Sequence, residues 1–401
     1  MKTFRFVLGA WMLALAAIAC NATQPSGVMP GSALTTHAAT AEPTPLGYFY
    51  SVNSQSNDVS QYAFTPGAQR PLTPLGSNLA LPSGCSYPDG IAVAPSGDLA
   101  FVACFSGEIV ALTITATHAL ANSGIEPVPV PSPLQIIAPA TGAASELYAD
   151  GDVGQIFALK YSANRLSLQK TYQTGHEFPD KMAFYTDAKG ASTLYVAQKE
   201  QRTRCPLGGS SGDGAVQVWS QSRNGSLFQE PPIPECGPAY LVVQSGNALY
   251  WAGPLTLGEY LLESKKLVET AAPPWARRGN GPTYYPGQMN AIAGLTKPAT
   301  AGDALSSGEF SVVTTPPGLV DAHIYIFKGG TTIASGLGSI RAANCFTADV
   351  TVGGKQYHQI CFAISKDDLV LYVVDNDSVT HVDVRVPLGS GPFDSVFVAS
   401  R

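Results

Sequence analysis

The chain has 401 residues, a formal net charge of −6 and only 13% charged residues, about half the charge density of an average globular protein. No basic cluster appears, which argues against a nucleic-acid partner, because phosphate binding needs a Lys/Arg surface. Glycine and proline number 40 and 31 and are spread along the chain, and 45% of residues are hydrophobic. That mix suits one large turn-rich all-β domain.

The N-terminus reads as an address. Lys2 and Arg5 form a positive n-region, and Phe6 to Ala19 is an apolar stretch too short to cross a membrane comfortably. Ala17-Ile18-Ala19-Cys20 follows. It resembles a bacterial lipobox, in which small residues precede a cysteine that is lipidated. Ala17 stands where that pattern usually has Leu. The resemblance implies a signal peptide over 1–19, lipid on Cys20 and a membrane-anchored lipoprotein of the cell envelope. Asn21, not Asp, follows the cysteine, which implies the outer membrane. Residues 21–45 are mostly Ala, Thr, Ser, Pro and Gly, and their one charged residue is a Glu. Such a composition cannot bury a core, so it reads as a tether. As a flexible coil it would span about 25–30 Å.

The folded domain is expected over 46–401. Gly47 to Asn53 and Asp58 to Phe64 read as strands around a Ser/Asn turn. Pro88 to Ile114 reads as three strands, with turns at Pro95-Ser96-Gly97-Asp98 and Ser106-Gly107. Hairpins of the same kind recur at 155–172, 215–230, 259–270 and 323–335, and Pro-led first strands at Pro88, Pro179, Pro238, Pro286 and Pro392, with Leu134 to Ala138 and Gln359 to Ile364 read as first strands without that Pro. A four-stranded unit repeating every 40–50 residues or so predicts a β-propeller. The reading is seven blades: 88–130, 133–172, 178–232, 237–272, 285–335 and 357–387, with 46–76 completed by 392–400. The C-terminal strand would complete the first blade and remove the exposed strand edges.

YFYSVNSQSNDVSQYAF and PDGIAVAPSGDLAFVACFSGEIVALTI resemble the YVTN-type, lactonase-like seven-bladed propellers. The likeness covers most of 46–401. The hydrolytic members carry Gly-Pro-Arg-His at a channel-facing strand start. Here the matching places hold Gly237-Pro238-Ala239-Tyr240 and Gly391-Pro392-Phe393-Asp394, without the Arg or His. No catalytic residue carries over, and the scaffold alone does not specify an activity.

Few motifs offer chemistry. Gly208-Gly209-Ser210-Ser211-Gly212 spells GxSxG but lacks the strand and helix that a nucleophile elbow needs. Asp150-Gly151-Asp152 and Asp375-Asn376-Asp377 resemble pieces of calcium loops. They lack the distal Glu and read as turns between second and third strands. Asp89, Asp180 and Asp394 stand at first-strand starts, with Asn290, His176 and Glu177 near the same register. Converging there, they would form a ligand site at the channel mouth; separately, each Asp would bond its own turn. No metal site and no cofactor is expected.

Leaving Cys20 to the lipid, six cysteines remain, an even number suited to an oxidising compartment. The blade layout predicts Cys85–Cys104 and Cys205–Cys236, and a hairpin turned at Gly353-Gly354, read either as an insertion or as an inner strand pair, predicts Cys345–Cys361. The expected function is a monomeric, non-enzymatic propeller that binds an envelope protein or a small molecule. The alternative is a lactonase-like hydrolase with a channel-mouth Asp and His176 or Glu177 as acid and base.

Overall fold

The computed structural model describes residues 44–68, 70–139, 145–175, 179–203, 212–222, 224–234, 241–245, 248–252, 257–271, 288–296, 310–315, 323–326, 331–334, 340–352, 355–365, 367–375 and 378–400. Among them every regular element is a strand. β1 (Gly47–Asn53), β2 (Asp58–Phe64), β3 (Leu72–Pro74) and β4 (Leu79–Ala80) come first. A second sheet holds β5 (Pro88–Val93), β6 (Leu99–Cys104), β7 (Glu108–Ile114), β8 (Leu120–Asn122) and β9 (Val128–Pro129). β10 (Pro133–Ile137), β11 (Glu146–Gly151), β12 (Gln155–Ser162) and β13 (Arg165–Gln173) form a third. β14 (Pro179–Thr186), β15 (Ser192–Thr203), β16 (Gly212–Gln221) and β17 (Leu227–Pro234) form the next. β18 (Leu241–Ser245), β19 (Ala248–Ala252), β20 (Leu257–Leu261) and β21 (Lys266–Ala271) follow. β22 (Gln288–Thr296), β23 (Phe310–Thr315), β24 (His323–Ile326) and β25 (Thr331–Ala334) are four more antiparallel strands. So are β26 (Ile340–Val352), β27 (Lys355–Ser365), β28 (Asp368–Asp375) and β29 (Ser378–Pro387). β30 (Pro392–Ala399) returns to pair along the whole of β1, from Gly47↔Ala399 to Asn53↔Pro392.

The strands of the first two sheets are apolar on both faces because each of these sheets is covered on both sides. In β1, Tyr48, Tyr50 and Val52 enter the core shared with the β5–β9 sheet, while Phe49 enters the core shared with β27 and β28. In β6, Leu99, Phe101 and Ala103 face the β10–β13 sheet, and Ala100, Val102 and Cys104 face the first. Period-2 alternation thus divides one apolar run between two cores. Further cores join the third sheet to the β14 sheet, around Tyr148 and Trp219, and the β14 sheet to the β18 sheet, around Trp251.

The first strands of the sheets lie side by side. β30 lies against β5, β5 against β10, β10 against β14, β14 against β18 and β18 against β22. β22 pairs with β26 in parallel through Leu295↔Cys345 and Thr296↔Phe346, and β26 lies against β30. Gly90 permits the tight approach of β5 to β10. A Cβ on it would stand 2.6 Å from the Leu134 carbonyl oxygen, so only glycine fits.

One boundary differs from the sequence reading. The 357–387 unit starts earlier, with β26 as its first strand, so Gln359–Ile364 lies on the second strand. Ile340–Val352 alternates weakly and carries Asn, Asp and Thr, so its pattern is not that of a buried strand. Asp375 accordingly ends the third strand, β28, not the second, while Asn376 and Asp377 lie outside the described residues.

Candidate functional site

The first strands begin on one face of the domain, and the turns from second to third strands lie on the same face. Hydrogen bonds join them sheet by sheet. Ser54 N and Gln55 N donate to the Gly391 and Ser390 carbonyls, just ahead of β30. Phe105 N and Ser106 N donate to the Tyr87 and Ser86 carbonyls, ahead of β5. Asp152 N donates to the Ser132 carbonyl, ahead of β10. The disulfide Cys85–Cys104, with its Cα atoms 5.1 Å apart, braces the same junction. It forms because Pro88 is registered opposite Cys104, which brings the preceding loop alongside the end of β6.

At this face β5, β10, β14, β22 and β30 share an irregularity, whereas β18 keeps its register. The register shifts between Pro88 and Gly90, Pro133 and Ile136, Pro179 and Met182, and Met289 and Ala291. It shifts again where Val52 and Asn53 face Asp394 and Pro392. The skipped residues are Asp89, Leu134–Gln135, Asp180–Lys181, Asn290 and Phe393. A bulge frees a residue from the ladder and re-aims its side chain. Three of the predicted site residues, Asp89, Asp180 and Asn290, therefore stand on bulges.

Four first strands meet through one polar cluster. Asp394 of β30 accepts from Ile91 N of β5 through Oδ2 at 3.3 Å, and pairs through Oδ1 with Lys181 Nζ of β14 at 3.3 Å. Lys181 Nζ also donates to Gln135 Oε1 of β10 at 2.7 Å. Gln135 N donates to Asp150 Oδ1 at 2.7 Å. Asp150 is wholly buried and ties β11 to β10, so the Asp-Gly-Asp stretch serves the turn and the strand pair. The geometry brings Asp394 and Asp89 together; it also recruits Lys181 and Gln135, which the sequence reading missed. Lys181 had one signal: it is the basic residue among the Pro-led first-strand starts. Gln135 had none. The backbones of Asp180 and Asn290 lie on β14 and β22. His176, Glu177, Cys205, Cys236 and the GxSxG serine lie outside the described residues. Cys345 is registered directly opposite Cys361. Among the described residues no three His, Cys, Asp or Glu side chains gather to hold a metal ion.

Asp89 is the unusual acid of this cluster. Burial, and then the nearby Asp394 carboxylate, push it from 3.8 up to about 7. The folded state therefore holds a proton that the unfolded chain would release. The resulting stability is fully present below the unfolded value and is lost as pH rises through about 7. Asp89→Asn should flatten the melting temperature between about pH 5 and pH 8 and raise it at the alkaline end. A thermal scan across that range checks this; an unchanged slope would show that Asp89 is not the group responsible.

The disulfide closes a loop with a sequence separation of 19, which in the chain-entropy model stabilises by about 3 kcal/mol. Replacing both Cys85 and Cys104 by Ala should cost about that much, read from urea unfolding. No loss of stability would mean the bridge constrains nothing in the unfolded chain.

No protein-family model and no curated protein matches the chain by sequence. Solved structures do resemble it. One is a candidate 6-phosphogluconolactonase from Bacteroides uniformis, with a TM-score of 0.56 at 12% identity, covering 88% of this chain and 100% of that one. Sqt1 from Saccharomyces cerevisiae has a TM-score of 0.53 at 9% identity, covering 88% of each chain. The WD40 repeats of RRP9 have a TM-score of 0.50 at 9% identity, covering 75% of this chain and 81% of that one. The fold is propeller-like. Such likeness bears on the scaffold and not on the chemistry it carries.

Proposed function

We propose that this protein is a lipid-anchored propeller of the bacterial envelope, seven-bladed and closed, that binds a partner at its channel mouth without catalysis. The cyclic order of first-strand neighbours, from β30 through β5, β10, β14, β18, β22 and β26 back to β30, supports the ring. The observation that carries the binding role is the braced face. First-strand starts, second-to-third turns, a disulfide and a polar cluster from four strands lie together there. Loops held on a rigid scaffold are the usual seat of binding. Asp394 is engaged by Ile91 N and Lys181, so it is poorly placed to act as a general base. The register supports a Cys345–Cys361 bridge as well.

Two experiments test this reading. Cys20→Ser should release the protein from membranes into the exported soluble fraction; unchanged fractionation would refute the anchor. A photo-crosslinking residue in place of Tyr87, which is 62% exposed beside β5, should trap a partner in cells. The same residue in place of Leu168, exposed on β13, should not. Equal trapping at both positions, or none at Tyr87, would remove the face from the account. Hydrolysis of a small lactone by the purified protein would favour the enzyme reading instead.

A further inference from the structure

Tyr87, Phe105, Val153 and Phe393 are 62%, 38%, 56% and 41% exposed. Among the described residues only two other large apolar side chains, Leu168 and Phe228, are so open. Those two sit on the fourth strands β13 and β17, whereas the first four all stand on the braced face. Backbone contacts run through this set. Phe105 N donates to the Tyr87 carbonyl at 3.0 Å, and Tyr87 N donates to Asn57 Oδ1 of the β1–β2 turn at 2.9 Å. That turn is bonded in its place to Ser390 and Gly391, beside Phe393. On the other side Val130 N reaches the Gly107 carbonyl at 3.0 Å, and Asp152, next to Val153, reaches Ser132. The four side chains thus rim three neighbouring sheets on one hydrogen-bonded frame. Tyr87 holds a positive φ of 52° there, as does Asn57, a conformation that side chains rarely adopt without support from their surroundings.

We propose that this rim docks a protein segment carrying lysine or arginine side chains between apolar ones. The proposal rests on the partner-binding reading above and adds the chemistry of the partner. Apolar side chains open to water on a braced frame mark an interaction surface, and aromatic residues are favoured at the centre of such surfaces. Charge selects the occupant. Asp58, Glu108, Asp152 and Asp367 stand on the same face at the starts of third strands or in second-to-third turns. Asp89 stands on the bulge two residues beyond Tyr87. Of the basic groups on this face, Lys181 pairs with Asp394 and Arg385 with Asp368 at 3.3 Å, while Lys199 and Arg202 stand near the end of β15, in the β14–β17 sheet and not in the three sheets that carry the rim. An acidic surface around aromatic rings suits a cation that lays its methylene stem on a ring and its charged end on a carboxylate. A membrane surface is the poorer occupant, since anionic headgroups would be repelled. The chain also leads in at the far end of β1, where Leu46 N bonds the Phe64 carbonyl and Ser400 Oγ bonds the Pro45 carbonyl.

The test uses the full chain with Cys20→Ala and three immobilised peptides of equal aromatic content, with Lys, Glu or Ser at alternate positions. The Lys peptide should bind, and the Glu and Ser peptides should bind at least about tenfold more weakly. Binding should fall about tenfold or more between about 50 mM and 500 mM salt. Tyr87→Ser with Phe105→Ser should lose it while the melting curve stays cooperative. Asp58→Asn with Asp152→Asn, both half-buried and both keeping an acceptor oxygen for the bonds that Asn53 and Asn78 donate to Asp58, should weaken the Lys peptide alone while the melting curve stays cooperative. Equal binding of the Lys and Glu peptides, or Lys-peptide binding that ignores all four substitutions, overturns the proposal. Preferential binding to vesicles of anionic phospholipid overturns it in favour of a membrane. If the crosslinker at Tyr87 traps a partner whose contact segment is acidic, the binding face stands and this inference alone fails.

Discussion

Deleting residues 392–401 should abolish the cooperative melt and drive the protein to aggregate. The lost segment is the whole of β30, which pairs with β1 over its full length. Without it β1 becomes an open edge of seven buried residues, a template for pairing with other chains. Packing goes with it. The Phe397 ring lies over Gly47, where a Cβ would stand 2.3 Å from it, and Val396 and Val398 pack on the core shared with the second sheet. Asp394 is lost too, and with it the acceptor for Ile91 N and the partner of Lys181. Light scattering and calorimetry of the truncated chain decide the matter. A monomer that melts like the parent would show that β30 is dispensable and would remove the proposed closure.

Phe362→Ala should cost about 3–5 kcal/mol, the range for a wholly buried aromatic residue cut back to alanine. Phe362 is 0% exposed and joins three strands of the first sheet to β27. Its ring meets Phe64 edge-on at 4.9 Å, Phe49 at 5.7 Å and Phe397 in a stack at 5.8 Å. The cavity would open where β1 and β30 meet β27, so Phe362→Ala and Phe49→Leu should be coupled in a double-mutant cycle. Chemical denaturation measures both effects. A loss under about 1 kcal/mol would mean the surrounding rings collapse into the space.

Much of the architecture was legible because a strand buried on both faces is written locally. GYFYSVN and LAFVAC are apolar throughout, and the turns between strands are punctuated by Gly, Asn, Asp and Ser. The pairing of the C-terminal strand with Gly47–Asn53 was readable from counting: one strand was missing at the start and one was left over at the end. Cys85–Cys104 followed, since both cysteines lie close to one short hairpin whose register is local. β26 was legible only as one arm of a hairpin turned at Gly353-Gly354 and not as a first strand, because its residues do not alternate as a buried strand does and its other neighbours, β22 and β30, are distant in sequence. The site divides in the same way. Asp89 and Asp394 were found from their place at first-strand starts. Lys181 and Gln135 were not, because their meaning comes from partners that no local pattern names: Lys181 and Asp394 are 213 residues apart. A short-range pattern records which residues a strand must bury. Which polar side chains face one another is decided when the first strands come side by side, and that placement exists only in the folded chain.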